Sequence, residues 1–243
     1  MASRRTFLKS VGLAVGAGAI GTPEWAIGAP KPSAQAVQHR SGSVFIGDAE
    51  GDTFVVCALV TTNIQRTRQM MRRAKRKILS GDDLARNLVL QPGSVSLQAR
   101  RLVYKQLSRV PPTSVGGFEI FSASVPNAWR WKGSESELFR LTLEAVLANA
   151  GLMRFKRVSV YANTGNPAAR ALLTGMIRDE FANRYQPVKR FDVFPDEARK
   201  HDGLQAARWA AFAIQQKAVG KTSEWYTLLK TNIKKEVDLS VTL

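Results

Sequence analysis

The sequence is poor in the residue types that form disulfides or bind zinc. It has one cysteine, Cys57, and two histidines, His39 and His201, which are distant from each other in the chain. A single cysteine cannot form an intramolecular disulfide, and these three residues cannot supply the four ligands of a structural zinc site. Cys57 lies within the apolar run 54–60, a position typical of a small core residue.

Acidic residues are also scarce. The chain has 19 Asp and Glu against 36 Lys and Arg, which gives a formal net charge of +17. Such an excess favours polyanionic partners, such as nucleic acid, an anionic membrane surface or an acidic envelope polymer. Hydrophobic residues make up 44% of the 243 residues, enough for the core of one domain of ordinary size with extensions.

The amino-terminal segment lacks a convincing membrane-spanning helix, because its apolar run is rich in glycine and ends before Pro23. The sequence RRTFLK at 4–9, followed by a Gly/Ala-rich run, is typical of an export signal that the twin-arginine translocase reads through residues 3–20. We therefore expect residues 1–36 to hold this signal and the start of a linker. The protein would then be periplasmic or extracellular, and it would be cytoplasmic if the motif is a chance match.

The one dense acidic spot is formed by Asp48, Glu50 and Asp52. Gly51-Asp52 separates two apolar runs, 43–47 and 53–60, and this pattern predicts a hairpin with the three carboxylates at its exposed end. The simpler interpretation is a turn with solvated acids. The alternative is a catalytic site that binds Mg²⁺ or Mn²⁺ through Asp48, since carboxylates are the ligands of such ions in phosphoryl transfer.

The strongest basic cluster follows the second of these strands. Residues at spacings of three and four, from Ile64 through Met71 to Ile78, predict an amphipathic helix over 64–79. The rest of that helix contains seven cations and no acid: Arg66, Arg68, Arg72, Arg73, Lys75, Arg76 and Lys77. This run favours a polyanion-binding face over ordinary solvated charge.

The remaining pattern predicts alternating helices and strands. Ser134 and Glu137 form a capping box that opens a helix ending at Gly151. The other predicted elements are helices over 95–110, 167–184, 203–219 and 222–233, with Asp202 as the cap of the third, and strands over 116–125, 156–162 and 188–194. This order predicts an α/β fold with a mixed sheet and helices on its faces.

A short segment combines aromatic and basic side chains, namely Trp129-Arg130-Trp131-Lys132. Such residues could stack on the bases of a nucleic acid. The alternative is that the two tryptophans anchor a loop to the domain.

Two motifs, in the correct order, resemble a known family. The opening FIGDAEGD at 45–52 and the closing GLQAARWAAFA at 203–213 are similar to those of the ribonuclease H-like domain-of-unknown-function family 3800, and SEWY at 223–226 resembles its tail. The resemblance implies a ribonuclease H-like mixed β-sheet flanked by helices, in a single domain over 43–236. The linker would end at 42, and residues 237–243 would be a C-terminal tail.

This sequence departs from the family at its acidic positions. Asp48 stands for the first family acid, with Gly47 as an extra residue before it, whereas Asn163 and Arg208 stand where the family has acids. Two-metal catalysis needs several carboxylates to bind two divalent ions. The resemblance therefore implies a degenerate site without a cofactor, in which Asp48 and Arg208 face one crevice and pair.

Three functions are consistent with these observations. The first is a catalytically degenerate domain that binds nucleic acid or another polyanion through the basic helix. The second is an active metal-dependent nuclease or phosphodiesterase that uses Asp48, Glu50 and Asp52. The third is an exported module that binds an envelope polyanion or a protein.

Overall fold

The computed structural model describes residues 39–78, 90–112, 117–163, 174–175, 178, 190–196, 201–220 and 224–239. Its strands are β1 His39–Ala49, β2 Phe54–Thr61, β3 Phe118–Val125, β4 Phe155–Asn163, β5 Arg190–Asp196 and β6 Ile233–Asp238. Its helices are α1 Ile64–Ile78, α2 Leu97–Ser108, α3 Glu135–Asn149, α4 Asp202–Ala218 and α5 Glu224–Leu229. The export signal lies outside the described residues, and so does the predicted helix 167–184 apart from residues 174–175 and 178, which are helical.

The strands form one mixed sheet in the order β5-β4-β1-β2-β3-β6. The first three strands in the chain pair antiparallel, whereas β4 pairs parallel to β1, β5 parallel to β4 and β6 parallel to β3. Parallel neighbours require crossover connections, which is why helices lie against the sheet. The predicted fold class, a single α/β domain with a mixed sheet flanked by helices, is confirmed.

The two faces of the sheet bury different helices. On one face, Phe45, Cys57 and Leu59 pack in a core with α1, α2, α4 and α5. On the other face, Val44, Val56 and their neighbours pack against α3. The central strand β2 has near-continuous burial because both of its faces are covered, as its apolar run predicts.

Cys57 lies in this buried strand, and burial raises the pKa of its thiol far above the ordinary value. A thiol held in its neutral form is a poor nucleophile and a poor metal ligand. Its predicted role as a small core residue is thus the one that the structure supports.

The predicted capping box of α3 is confirmed, because the Ser134 side chain accepts from the Glu137 amide while the Glu137 carboxylate accepts from the Ser134 amide. The predicted end of the chain is wrong. Helix α5 stops at Leu229, and Ile233 begins strand β6 instead of closing the helix. The cause is Asn232. Its buried side-chain amide donates to the carbonyl of Val110, which precedes β3, and to the carbonyl of Phe118, the first residue of β3, and thereby directs the chain onto the sheet.

Candidate polyanion-binding surface and acidic site

The predicted hairpin is present, with Asp48 at the end of β1 opposite Val56. Asp48 is half-buried, whereas Glu50 and Asp52 lie in the turn and are exposed. Among the described residues there is no group of three or more His, Cys, Asp or Glu side chains placed to hold a metal ion. The three acids are close in sequence, but the hairpin does not gather them into a metal centre.

Gly47 lies where β1 touches helix α4. A Cβ atom added to Gly47 would lie 2.3 Å from the carbonyl carbon of Ala207 and 2.4 Å from the amide nitrogen of Arg208. Both atoms belong to the backbone and cannot move aside as a flexible side chain would. This position therefore cannot carry a carboxylate, because the helix backbone occupies the space that any side chain would need.

The strand register and the packing of α4 place the residues that differ from the family pattern close to one another. Ile46 of β1 pairs with Ala162 of β4, so Gly47 and Asn163 are the next residues of two neighbouring parallel strands. Arg208 follows Ala207 on the helix that packs over Gly47. The positions at which the resemblance implies acids thus lie near one another; Asp48 keeps its carboxylate, whereas the other two positions hold the amide of Asn163 and the guanidinium of Arg208.

Asp48 and Arg208 line one cavity of about 270 Å³ between the end of β1 and α4, in line with the expected shared crevice. The rest of its wall is formed by Ala49, Glu50, Gln91, Pro92, Gly93, Phe212 and Gln215. Two contacts fix this wall. The Gln215 amide donates to the Thr53 carbonyl (2.9 Å), and the Trp209 indole donates to the Leu90 carbonyl next to Gln91 (2.9 Å).

Helix α1 begins as predicted and packs its apolar stripe on the core. The Asn63 side-chain oxygen accepts from the Arg66 amide at 3.0 Å, which caps the first turn. Thr67, Met71 and Ala74 are buried. The seven cations therefore surround a helix that is held firmly against the domain.

Lys75 is the exception among these cations. Its side chain is completely buried, and its ammonium group contacts the Asp202 carboxylate at 2.6 Å. Its assignment to a polyanion-binding face is wrong, because no phosphate could reach it. The sequence did contain a signal, since Lys75 lies four residues after Met71 and therefore on the buried stripe.

Two further cations bind the same region of α4. Arg72 donates through Nε to Asp202 at 3.1 Å, although 53% of its side chain is exposed. Arg68 contacts the ring of His201, which is buried against Phe45 and Tyr161. His201, not Asp202 as predicted, is the N-cap of α4, and its side chain makes no capping hydrogen bond.

The outer face of α1 consists of Arg72, Arg73, Arg76 and Lys77, all of which are exposed. Arg66 and Arg68 are half-buried at the start of the helix. No acid lies in α1, so this face concentrates positive charge over its whole length. The last-turn cations also complement the helix dipole, which lowers the cost of placing them together.

Other basic residues are partly neutralised by ion pairs. Arg157 and Arg190, on neighbouring strands, both contact Asp192 at 2.8–2.9 Å. Burial alone would raise the pKa of Asp192, but the hydrogen bonds from the two arginines lower it below its usual value. Arg101 pairs with Glu224. Arg72 of α1 is also paired, with Asp202, so the α1 face differs from these sites in its density of exposed cations and not in a lack of partners.

The two tryptophans of the 129–132 segment differ in their surroundings. Trp129 is 66% exposed, with the Arg130 guanidinium 4.7 Å from its ring centre. Trp131 is half-buried and donates through its indole N–H to the Ser134 carbonyl at 3.0 Å. Trp131 thus fits the anchoring interpretation, whereas Trp129 keeps an open ring surface.

The fold of this chain is similar to that of chains in solved structures. A chain in the structure of the PCNA:RNase HII complex from Archaeoglobus fulgidus superposes with a TM-score of 0.46 at 11% sequence identity, over 76% of each chain. No family model matches the sequence. No curated protein matches it either. Among the described residues, no helix is long and apolar enough to cross a membrane.

Proposed function

We propose that this protein is a catalytically degenerate, ribonuclease H-like domain that binds nucleic acid through the outer face of α1. The observation that carries the proposal is the exposure of Arg72, Arg73, Arg76 and Lys77 on one acid-free helix. Lys and Arg side chains in such an array make the phosphate contacts that dominate nucleic-acid affinity. Membership of family 3800 is part of this proposal and rests on the motifs at 45–52 and 203–213.

The proposal of degeneracy rests on the acidic positions. Asn163 and Arg208 stand where the resemblance implies acids, and Arg208 brings a positive charge to the wall of the cavity. A guanidinium beside Asp48 competes with a divalent ion for the carboxylate. The rival proposal, a nuclease that uses Asp48, Glu50 and Asp52 with Mg²⁺ or Mn²⁺, would require these acids to converge around a metal ion on substrate binding.

The experiment compares two triple variants of equal charge. Arg73, Arg76 and Lys77 are changed to Gln in one, and the exposed Lys230, Lys234 and Lys235 in the other. Binding of labelled duplex and single-stranded DNA is followed by fluorescence anisotropy over a range of salt concentrations. The α1 variant should lose up to about 2.7 from the slope of log K against log salt on duplex, at about 0.9 per phosphate contact.

The control variant carries the same change in net charge but keeps every cation of α1. It should therefore keep a steeper slope of log K against log salt than the α1 variant. Equal slopes in the two variants would show that affinity depends only on net charge and would contradict a specific α1 face. Cleavage of the same DNA in Mg²⁺ or Mn²⁺, abolished by Asp48→Ala, would instead establish the nuclease.

Export would determine which polyanion the α1 face meets. If residues 1–36 direct the chain through the twin-arginine translocase, an acidic envelope polymer would be available to the same cations. Competition of that polymer with DNA in the anisotropy assay separates the two ligands. If the polymer is released at a much lower salt concentration than DNA, nucleic acid is the favoured ligand.

A further inference from the structure

The cavity between β1 and α4 has walls of mixed chemistry. Phe212 supplies an aromatic ring, Asp48 a half-buried carboxylate, Arg208 a guanidinium, and Gln91 an amide. The volume of about 270 Å³ accommodates one planar ring system of modest size. An aromatic wall with a few polar groups is the usual composition of a small-ligand site.

This composition argues against the two simplest ligands. A phosphate group would meet the carboxylates of Asp48 and Glu50 in the same wall. A divalent ion would meet the guanidinium of Arg208, and the described residues offer no set of three metal ligands. A neutral heteroaromatic ring avoids both conflicts, because it can stack on Phe212 and exchange hydrogen bonds with groups of either charge.

Among nucleobases, guanine matches the polar groups. Its pairing edge presents two adjacent N–H donors, which a carboxylate accepts, and its O6 and N7 accept from arginine or an amide. Adenine has an acceptor where guanine has its ring N–H donor and would leave the Asp48 carboxylate without a donor at that position. Pyrimidines offer a smaller ring for stacking.

The cavity also lies within reach of the basic face. Asp202, which contacts Arg72, is six residues before Arg208 on α4, so the two residues are about 9 Å apart along the helix axis and about 120° apart around it. A single strand whose phosphates contact α1 could therefore place one base in the cavity. We infer that the cavity binds one unpaired guanine of a nucleic-acid strand, an inference that rests on the proposed function.

The test measures binding of the full chain to an oligothymidylate and to the same strand with one central guanine or adenine. The guanine should tighten binding about 25-fold, since stacking and a bidentate polar contact are each worth about fivefold. Asp48→Asn and Arg208→Gln should each remove this preference, so that each variant binds the three strands with equal affinity. Arg109→Gln, an exposed arginine at the end of α2, is the matched control and should keep the preference.

Circular dichroism identifies variants that fail to fold. Gln91 is exposed, so Gln91→Ala leaves the core intact and should by itself reduce the preference severalfold. Free guanosine monophosphate, added as a competitor, should displace only the guanine-dependent part of the binding.

The outcomes separate the two proposals. Equal affinity for the three strands, with oligothymidylate still bound, would overturn the guanine site and leave the α1 face standing. Absence of binding to every strand would overturn the proposed function and this inference with it. Binding of guanosine monophosphate without binding of any strand would show a free-nucleotide site and would overturn the assignment to a strand.

Discussion

Replacing Lys75 by Met tests whether the α1–α4 ion pair contributes to stability. The Lys75 side chain is fully buried, and its partner Asp202 is 11% exposed. Removing one member of a buried pair leaves an uncompensated charge and costs about 3–5 kcal/mol. Because Asp202 keeps Arg72 as a second, largely exposed partner, we expect a loss in the free energy of unfolding at the lower end of this range, about 3 kcal/mol.

A loss of this size should lower the midpoint of thermal unfolding by about 6–12 °C for a chain of this length. Urea unfolding followed by fluorescence of the buried Trp209 and Trp225 gives the free energy directly. Arg73→Met, on the exposed side of the same helix, is the control and should change stability by less than about 0.5 kcal/mol.

A second variant distinguishes the charge from the packing. Met keeps most of the aliphatic volume of Lys75, so a double change with Asp202→Asn removes the stranded charge and should recover a large part of the loss. Two results would refute the reasoning. One is a single-variant loss below about 1 kcal/mol, and the other is a double variant less stable than Lys75→Met.

Three further predictions concern other parts of the chain. Gly47→Asp should destabilise the protein strongly instead of adding a metal ligand, because its Cβ would overlap the Ala207 backbone. Thermal unfolding with and without Mg²⁺ measures both effects. Hydrogen bonds from Ser134 lower the pKa of Glu137. The stabilisation that the Glu137 carboxylate provides should therefore be complete above the usual carboxyl pKa and disappear as the pH falls through the lowered pKa. The difference in melting temperature between the wild-type protein and Glu137→Ala should accordingly vanish in acid. Changing Arg4 and Arg5 together to Lys should stop export, and unchanged accumulation outside the cytoplasm would exclude the twin-arginine signal.

Local patterns in the sequence were sufficient for several elements. The hairpin at 50–53, the capping box at Ser134 and the first helix at Ile64 depend on residues within a few positions of each other, so propensity and spacing determine them. The alternation of helices and strands then predicted a mixed sheet with helices on its faces. The exception was Ile233, where a distant contact of Asn232 with Val110 and Phe118 overrode a helical pattern.

The candidate site was only partly accessible from sequence. The resemblance located Asp48, Asn163 and Arg208, and the fold brings their backbone positions to one end of β1 and β4. The closeness of the α4 backbone to Gly47 could not be predicted, because it depends on how deeply a helix more than 150 residues later packs on the strand.

The sequence by itself determined the net charge, the run of seven cations, the hairpin after β1 and the capping box at Ser134, since these follow from composition and local spacing. Only the tertiary structure decided which cations are available. Lys75 and Arg73 are two positions apart on one helix, yet one is buried against Asp202 and the other faces solvent. The reason is that burial depends on the partner packed against each side of a helix, and that partner comes from a distant part of the chain.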